Sequence, residues 1–334
     1  MANGSHRQQP IPRIAVLVPC LNEEGTIAKV VADFGSALPG ARIVVYDNNS
    51  SDRTVQAALE AGAEVRREAR PGKGNVVRRM FAEVDADVYV VVDGDDTYEA
   101  AAAPRLVERL LCDRLDMVNG ARIEAGRDAF RTGHRFGNRA LNWVVGLLFE
   151  QRFRDMLSGY RVLSRRFVKS FPVSSAGFEI ETEMIVHALE MRMPVAEVDT
   201  GYRERPSGSH SKLNTVLDGW RILFMILNLL RQERPLRLAF AFCCVFALVA
   251  LGLGVPVVIE FFKTGLVPRL PTAVLAMGLM IMAFLFLIVG IVLDSVVAGH
   301  RELKRLAYLS FPAPGGEGIP AKDSGAGGRG EPPR

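Results

Sequence analysis

Asp87-Val88-Tyr89-Val90-Val91-Val92-Asp93-Gly94-Asp95-Asp96-Thr97-Tyr98 decides how this chain folds. Its first half is a continuous β-branched and aromatic run, too short for a helix of ordinary length, and reads as a central parallel strand covered on both faces. Its second half is a carboxylate cluster at the strand's carboxyl end, where open α/β sheets bind ligands. Residues two apart in extended chain point the same way, so Asp93 and Asp95 can converge on one cation, with Gly94 letting the backbone turn tightly between them. Hard carboxylate oxygens suit Mg²⁺ or Mn²⁺ bridging a diphosphate. The competing local reading is a helix cap.

Three βα units precede this strand. Ile14 to Val18 reads as a buried strand that Pro19 stops, with Asn22 or Glu23 either facing a ligand or opening a helix from Glu24 to Leu38. Arg42 to Tyr46 is the second strand; Asp47 stands one residue past its end, as a carboxylate that reads a ribose or base would, and Asp52 is a helix cap. A short strand around Val65 leads to Gly72-Lys73-Gly74, a glycine-flanked lysine before a helix from Val76 to Glu83 that can cradle a phosphate.

At 334 residues, 49% hydrophobic and 23% charged, the chain holds one large α/β domain and something more. Leu238 to Ile259 and Ala273 to Leu293 are uncharged runs of about 20 residues each, enough to span a bilayer. Arg231, Arg234 and Arg237 precede the first run and Arg301, Lys304 and Arg305 follow the second, which places both flanks in the cytoplasm. The net charge of +4 gathers near these runs, favouring anionic lipid head groups over nucleic acid. Four cysteines without metal-ligand spacing fit a reducing compartment. Residues 1–12 are polar and carry no cleavable signal.

Taken in order, Val18-Pro19-Cys20-Leu21-Asn22-Glu23, Asp47 to Asp52, Gly72-Lys73-Gly74 and Asp93-Gly94-Asp95 resemble the successive signatures of family 2 glycosyltransferases of the GT-A fold. The D-x-D-x-T string alone also resembles haloacid-dehalogenase phosphatases, with Asp93 as nucleophile and Asp95 as general acid, but that motif normally opens its domain. Gly120-Ala121-Arg122, His134 to Arg139, Leu157 to Arg161 and Ser209 to Leu213 narrow the resemblance to polyprenyl-phosphate glycosyltransferases, relatives of dolichol-phosphate mannose synthase. The Q-x-x-R-W signature of processive polysaccharide synthases is absent. Two departures stand out: Asn48 where the family often has a second aspartate, and Thr97 where relatives can carry Gln.

The resemblance implies an inverting, metal-dependent transferase that moves a sugar from a nucleotide sugar, UDP favoured over GDP, to polyprenyl phosphate for cell-envelope glycan or lipid modification. Pro19, Asn22, Glu23, Asp47, Asn49, Lys73 and Asp93 would bind the donor. Asp93 and Asp95 would hold Mg²⁺ or Mn²⁺. Arg122, Arg135, Arg139 and Lys212 would bind the acceptor phosphate, guanidinium being suited to bidentate contact. Asp93, Asp95, Arg122 and Arg135 form the catalytic set. One alternative is transfer to another membrane lipid or lipid-linked saccharide; another is a membrane-tethered nucleotide-sugar binding protein without turnover.

The expected architecture is a polar segment (1–12), a Rossmann-like GT-A α/β domain (13–212), an interfacial amphipathic helix (213–235), a two-helix transmembrane hairpin (236–298), and a basic segment with a disordered tail (299–334). The hairpin would sit in the inner, cytoplasmic membrane with the catalytic domain and C-terminus inside. Its Gly- and Ala-rich faces allow homo-oligomers. A second apolar stripe, Phe136 to Leu148, reads as interfacial or core-facing. Glu179, Glu181 and Glu183 answer a helix dipole better than they serve as a catalytic base, and His187 and His210 are not ligands.

Overall fold

The computed structural model of the chain describes residues 11–124, 153–177, 179–203 and 235–315. The βα alternation is present: β1 (Ile14–Cys20), β2 (Arg42–Asp47), β3 (Glu64–Arg67) and β4 (Val88–Val91) are joined by α1 (Ile27–Ala37), α2 (Thr54–Glu60) and α3 (Lys73–Glu83). There follow α4 (Ala103–Cys112), β5 (Met117–Glu124), β6 (Arg161–Ser164), α5 (Arg165–Ser170), α6 (Ile180–Glu190) and β7 (Val195–Tyr202).

The described strands form one sheet in the order β3-β2-β1-β4-β6-β5-β7. β4 is central, as its sequence requires, but the sheet is mixed rather than parallel. β4 runs parallel to β1 and antiparallel to β6, which in turn is antiparallel to β5. Because β5 and β7 pair in parallel, the strands other than β6 end on one common edge. Cys20, Asp47, Asp93 and Arg122 are thereby brought to the same side of the domain.

Both faces of β4 are covered. Val88, Val90 and Val92 pack with Ile27, Val31 and Phe34 of α1 and Leu106 and Leu110 of α4. On the other face, the Tyr89 ring meets Phe81 of α3 edge-on at 6.3 Å, and Phe81 meets Phe171 at 6.2 Å. Each such fully buried large side chain contributes about 1.5–3 kcal/mol by burial.

Several boundaries differ from expectation for identifiable reasons. β1 runs through Pro19 to Cys20. The Leu17 carbonyl accepts from Val92 N at 3.1 Å, so Pro19, two residues on, faces the side where β4 has already ended; its missing N–H forfeits no ladder bond. α1 starts at Ile27 rather than Glu24, since Asn22 takes a left-handed φ of 56° and Glu23 O closes a turn with Thr26 N at 3.1 Å. α3 starts three residues earlier than the periodicity predicts, at Lys73, directly after Gly72 with φ 118°.

The chain divides into two compact units, residues 1–211 with 305–334, and residues 212–304. In the first, the Tyr308 hydroxyl donates to buried Asp116 at 2.8 Å, and Arg166 lies 4.7 Å over the Tyr308 ring. The second contains most of two long helices, α7 (Pro235–Thr264) and α8 (Leu270–Leu309), of 30 and 40 residues. Their close approach is visible at Gly290, where a Cβ would lie 2.5 Å from Ala239 Cβ. Phe240, Leu248, Met277 and Phe284 stand exposed on them, unlike the side chains of a soluble core helix. Two apolar helices of this length can span a membrane.

Candidate active site

The loop leaving β4 places its carboxylates differently. Asp95 is 5% exposed, and its Oδ1 accepts from Thr97 Oγ1 at 2.6 Å and Thr97 N at 3.3 Å, so Thr97 fixes its orientation. Asp93 Oδ1 accepts from Lys73 Nζ at 2.6 Å. The reason for Gly94 is space, not turn geometry: a Cβ there would lie 2.5 Å from Cys20 Sγ, and its carbonyl accepts from Thr26 Oγ1 at 2.7 Å. The left-handed residue is instead Asp96, φ 56°, whose carboxylate pairs with Lys29 at 2.6 Å. A second close approach comes from Gly159, where a Cβ would lie 2.2 Å from Asp93 Oδ2.

Lys73 is the hub of the site. Its ammonium bridges Asp93 at 2.6 Å and Glu181, in the first turn of α6, at 2.7 Å. Burial alone would lower its pKa, but the two carboxylates more than offset this and hold it well above the ordinary lysine range. Burial raises the Asp93 carboxyl; Lys73 pulls it back, and the Glu181 and Asp95 charges push it further up. Glu181 was not legible as part of this site. Its first-turn position satisfies the dipole reading, and nothing local marks it as the acid that reaches a lysine 108 residues away.

The glycines beside Lys73 and the family departure at Asn48 have one explanation. Cβ atoms at Gly72 and Gly74 would lie 2.2 and 2.1 Å from the carbonyl oxygens of Ala176 and Ser175. Asn48 Nδ2 donates to the carbonyls of Glu68 and Arg70 at 2.9 and 2.8 Å, and its Oδ1 accepts from Gly72 N at 2.8 Å. Asn48 thus pins the loop that presents Lys73, a task needing both donor and acceptor. Asn48→Asp is expected to destabilise the domain by about 2–4 kcal/mol, since a buried carboxylate would face two carbonyl oxygens in place of the amide that donates to them. Chemical denaturation measures this directly; unchanged stability would refute the role given to Asn48.

The expected donor residues gather at the ends of β1 and β2. Asp47, 3% exposed, accepts from Ser50 N at 3.0 Å. Asn22 Oδ1 accepts from Ser51 N at 2.8 Å, Glu23 N donates to Thr54 Oγ1 at 2.8 Å, and Asn49 Nδ2 donates to Ala69 O at 2.9 Å. Asp52 accepts from Thr54 N at 3.0 Å and from Glu24 N at 3.2 Å, but the residue at the N-cap of α2 is Arg53, which makes no side-chain cap bond, so Asp52 links the two loops rather than occupying the cap position expected of it. These contacts stitch the two loops into one wall beside Asp93.

Of the expected acceptor residues, Arg122 is described; Arg135, Arg139 and Lys212 lie outside the described residues, as do the stripes at 136–148 and 213–231 and the tail beyond 315. Arg122 makes a bidentate pair with Asp155 at 2.6 and 2.8 Å and lies 5.3 Å over the Tyr202 ring. Its charge is therefore matched within the protein, by a residue sequence reading did not single out. The Ser158–Tyr160 stretch connects this pair to Asp93: Ser158 Oγ donates to Gly120 O at 2.6 Å, and Gly159 N donates to the Tyr98 hydroxyl at 2.7 Å. Tyr160 is core, fully buried against Phe34 and Tyr98. Arg161, 1% exposed, donates to Asn119 Oδ1, Glu181 O and Met156 O at 3.3, 2.5 and 2.9 Å, tying the start of α6 to β6.

Residues 15–169, which contain the Asp93–Lys73 pair and the wall formed by β1 and β2, match the glycosyl transferase family 2 description. The chain is also 33% identical over 301 residues to glycosyltransferase AglJ of Haloferax volcanii, covering 89% of this chain and 98% of that protein. The chain belongs to glycosyl transferase family 2. A further family relative is the dolichyl-phosphate hexose transferase of Haloferax volcanii, 30% identical over 222 residues, which cover 66% of this chain and 95% of that protein. Among solved structures, glucosyl-3-phosphoglycerate synthase from Mycobacterium tuberculosis in complex with Mn²⁺, UDP and glucosyl-3-phosphoglycerate superimposes with a TM-score of 0.53. It is 26% identical, and the match covers 66% of this chain and 79% of that one. The GT-A α/β fold expected from the sequence is therefore present, and the protein is a glycosyltransferase.

Proposed function

We propose that this family 2 glycosyltransferase moves a sugar from a nucleotide sugar, UDP favoured over GDP, to polyprenyl phosphate at the cytoplasmic face of the membrane, inverting the anomeric centre. The observation that carries this reading is the meeting of Asp93, Asp95 and Lys73 at the shared strand edge, beside the wall of Asp47 and Asn22. The Mycobacterium structure, with Mn²⁺ and UDP, supports the donor class; the Haloferax dolichyl-phosphate hexose transferase supports the acceptor class. The basic residues flanking the two apolar helices support a cytoplasmic catalytic domain.

The residues fit a divalent cation: two hard-oxygen donors stand on one loop, Asp95 oriented by Thr97 and Asp93 set against Gly159. When bound, Mg²⁺ or Mn²⁺ supplies Lewis-acid stabilisation of charge on the departing nucleotide. Lys73 adds a fixed positive charge on the same side, preorganised by Glu181. On the acceptor, a phosphate monoester has its second pKa near about 6, so its attacking oxygen is already ionised at neutral pH and no general base is required. That oxygen forms the new bond to the anomeric carbon as the bond to the diphosphate breaks. Arg122, held by Asp155, with Arg135, Arg139 and Lys212, would receive the phosphate.

Purified full-length protein with Mn²⁺ or Mg²⁺, short-chain polyprenyl phosphate and a panel of UDP- and GDP-sugars is expected to yield a polyprenyl-phosphate sugar in the lipid phase, read by mass spectrometry. A UDP-sugar is the expected donor. Transfer only to another membrane lipid would overturn the acceptor assignment and leave the donor site standing.

A further inference from the structure

The two carboxylates that share Lys73 belong to differently supported parts of the fold. The Glu181 side is a single block. Gly74 N donates to Ala176 O at 3.0 Å, and the start of α3 lies so close to the 175–176 backbone that neither flanking glycine has room for a side chain. Glu183 accepts from Ser174 N and Ser175 N at 2.7 and 2.9 Å, tying that backbone to α6. Arg161 then holds the Glu181 carbonyl at 2.5 Å. Lys73 and Glu181 are thus fixed to each other through two sets of contacts besides their own ion pair, and Arg161 anchors Glu181 to β6. Asp93 stands apart on the loop leaving β4, facing Lys73 with one oxygen and the Gly159 Cα with the other.

We propose that Glu181 is a positioning residue of the donor site: it retains the Lys73 ammonium when a divalent cation takes Asp93. Lys73 would then be an internal placeholder for the cation, and once released from Asp93 its ammonium, still paired with Glu181, would be at hand for the charge of a diphosphate. This rests on the donor-site reading above. Its physical basis is the cost of leaving a buried ammonium without a carboxylate, which exceeds that of sharing one between two. With Glu181 present, Asp93 can exchange partners while Lys73 keeps one. Glu181→Gln makes cation binding strip a buried ion pair. Glu181→Asp keeps the charge but withdraws it by a methylene, and the rigid block leaves Lys73 little freedom to follow.

The test is a Mn²⁺ titration followed by electron paramagnetic resonance, on the full chain in detergent micelles, with and without UDP. Asp95→Asn sets the background, and thermal unfolding is recorded for every variant. Both Glu181→Gln and Glu181→Asp are expected to bind Mn²⁺ about tenfold more weakly than wild type, equivalent to about 1.4 kcal/mol, while still unfolding cooperatively. A loss confined to Glu181→Gln would make Glu181 merely a nearby charge and overturn the positioning role. Wild-type affinity in both variants would overturn it as well. If the wild type itself bound no Mn²⁺, with or without UDP, the donor-site reading would fall and this inference with it.

Discussion

Asp95→Asn is expected to lower sugar transfer by about 10³-fold while the protein folds and inserts into membranes as the wild type does. The substitution is nearly isosteric, and its remaining oxygen can still accept from Thr97, whose hydroxyl sits 2.6 Å from Asp95 Oδ1. What it removes is the negative charge of one of the two carboxylates proposed to hold a cation. In the mechanism proposed above the ion would stabilise charge on the leaving diphosphate, and one carboxylate fewer would leave it to Asp93, which Lys73 already engages. The measurement is transfer of labelled sugar to the lipid phase across a metal titration, alongside thermal unfolding. Near-normal transfer at limiting metal would remove the central role of Asp95, and a collapse in unfolding temperature would show that its charge serves the fold instead.

What the sequence made legible here is whatever depends on neighbours in the chain. The apolar strand before Asp93, the glycine-flanked Lys73 and the two uncharged runs near the C-terminus all announce themselves within a dozen or two residues, because strand length, turn chemistry and membrane thickness act locally. The glycosyltransferase assignment followed from the order of such local features. Contacts between distant segments were not legible. Asn48 reads as a lost aspartate until its partners, 20 to 24 residues away, show that an amide is required. Glu181 and Glu183 look equivalent on a helix, yet one reaches Lys73 and the other binds Ser174 and Ser175. The reversal of β6 is equally hidden, since four buried residues carry no mark of direction. Even Gly94, correctly singled out, owes its identity to a sulfur atom on β1 rather than to its own backbone angles.

Gly159→Ala is expected to reduce transfer by about 10²-fold without unfolding the domain, a loss comparable to misplacing a reacting group by about 1 Å. The added methyl would stand 2.2 Å from Asp93 Oδ2, far inside van der Waals contact, so one of the two must move. The Gly159 backbone has little freedom: its N–H donates to the buried Tyr98 hydroxyl at 2.7 Å, and the adjoining residues are Ser158, bonded to Gly120 O, and fully buried Tyr160. The carboxylate is the part that yields, because it ends a side chain and is one-quarter exposed. Its displacement disturbs the contact with Lys73 and the alignment with Asp95 together, so the KM for the cation rises along with the fall in kcat. Gly159→Ala combined with Asp93→Asn supplies the decisive comparison. If the methyl acts through the Asp93 carboxylate, the double variant is no worse than Asp93→Asn alone. Fully multiplicative losses would place the action of Gly159 elsewhere, on the Tyr98 contact or the acceptor side.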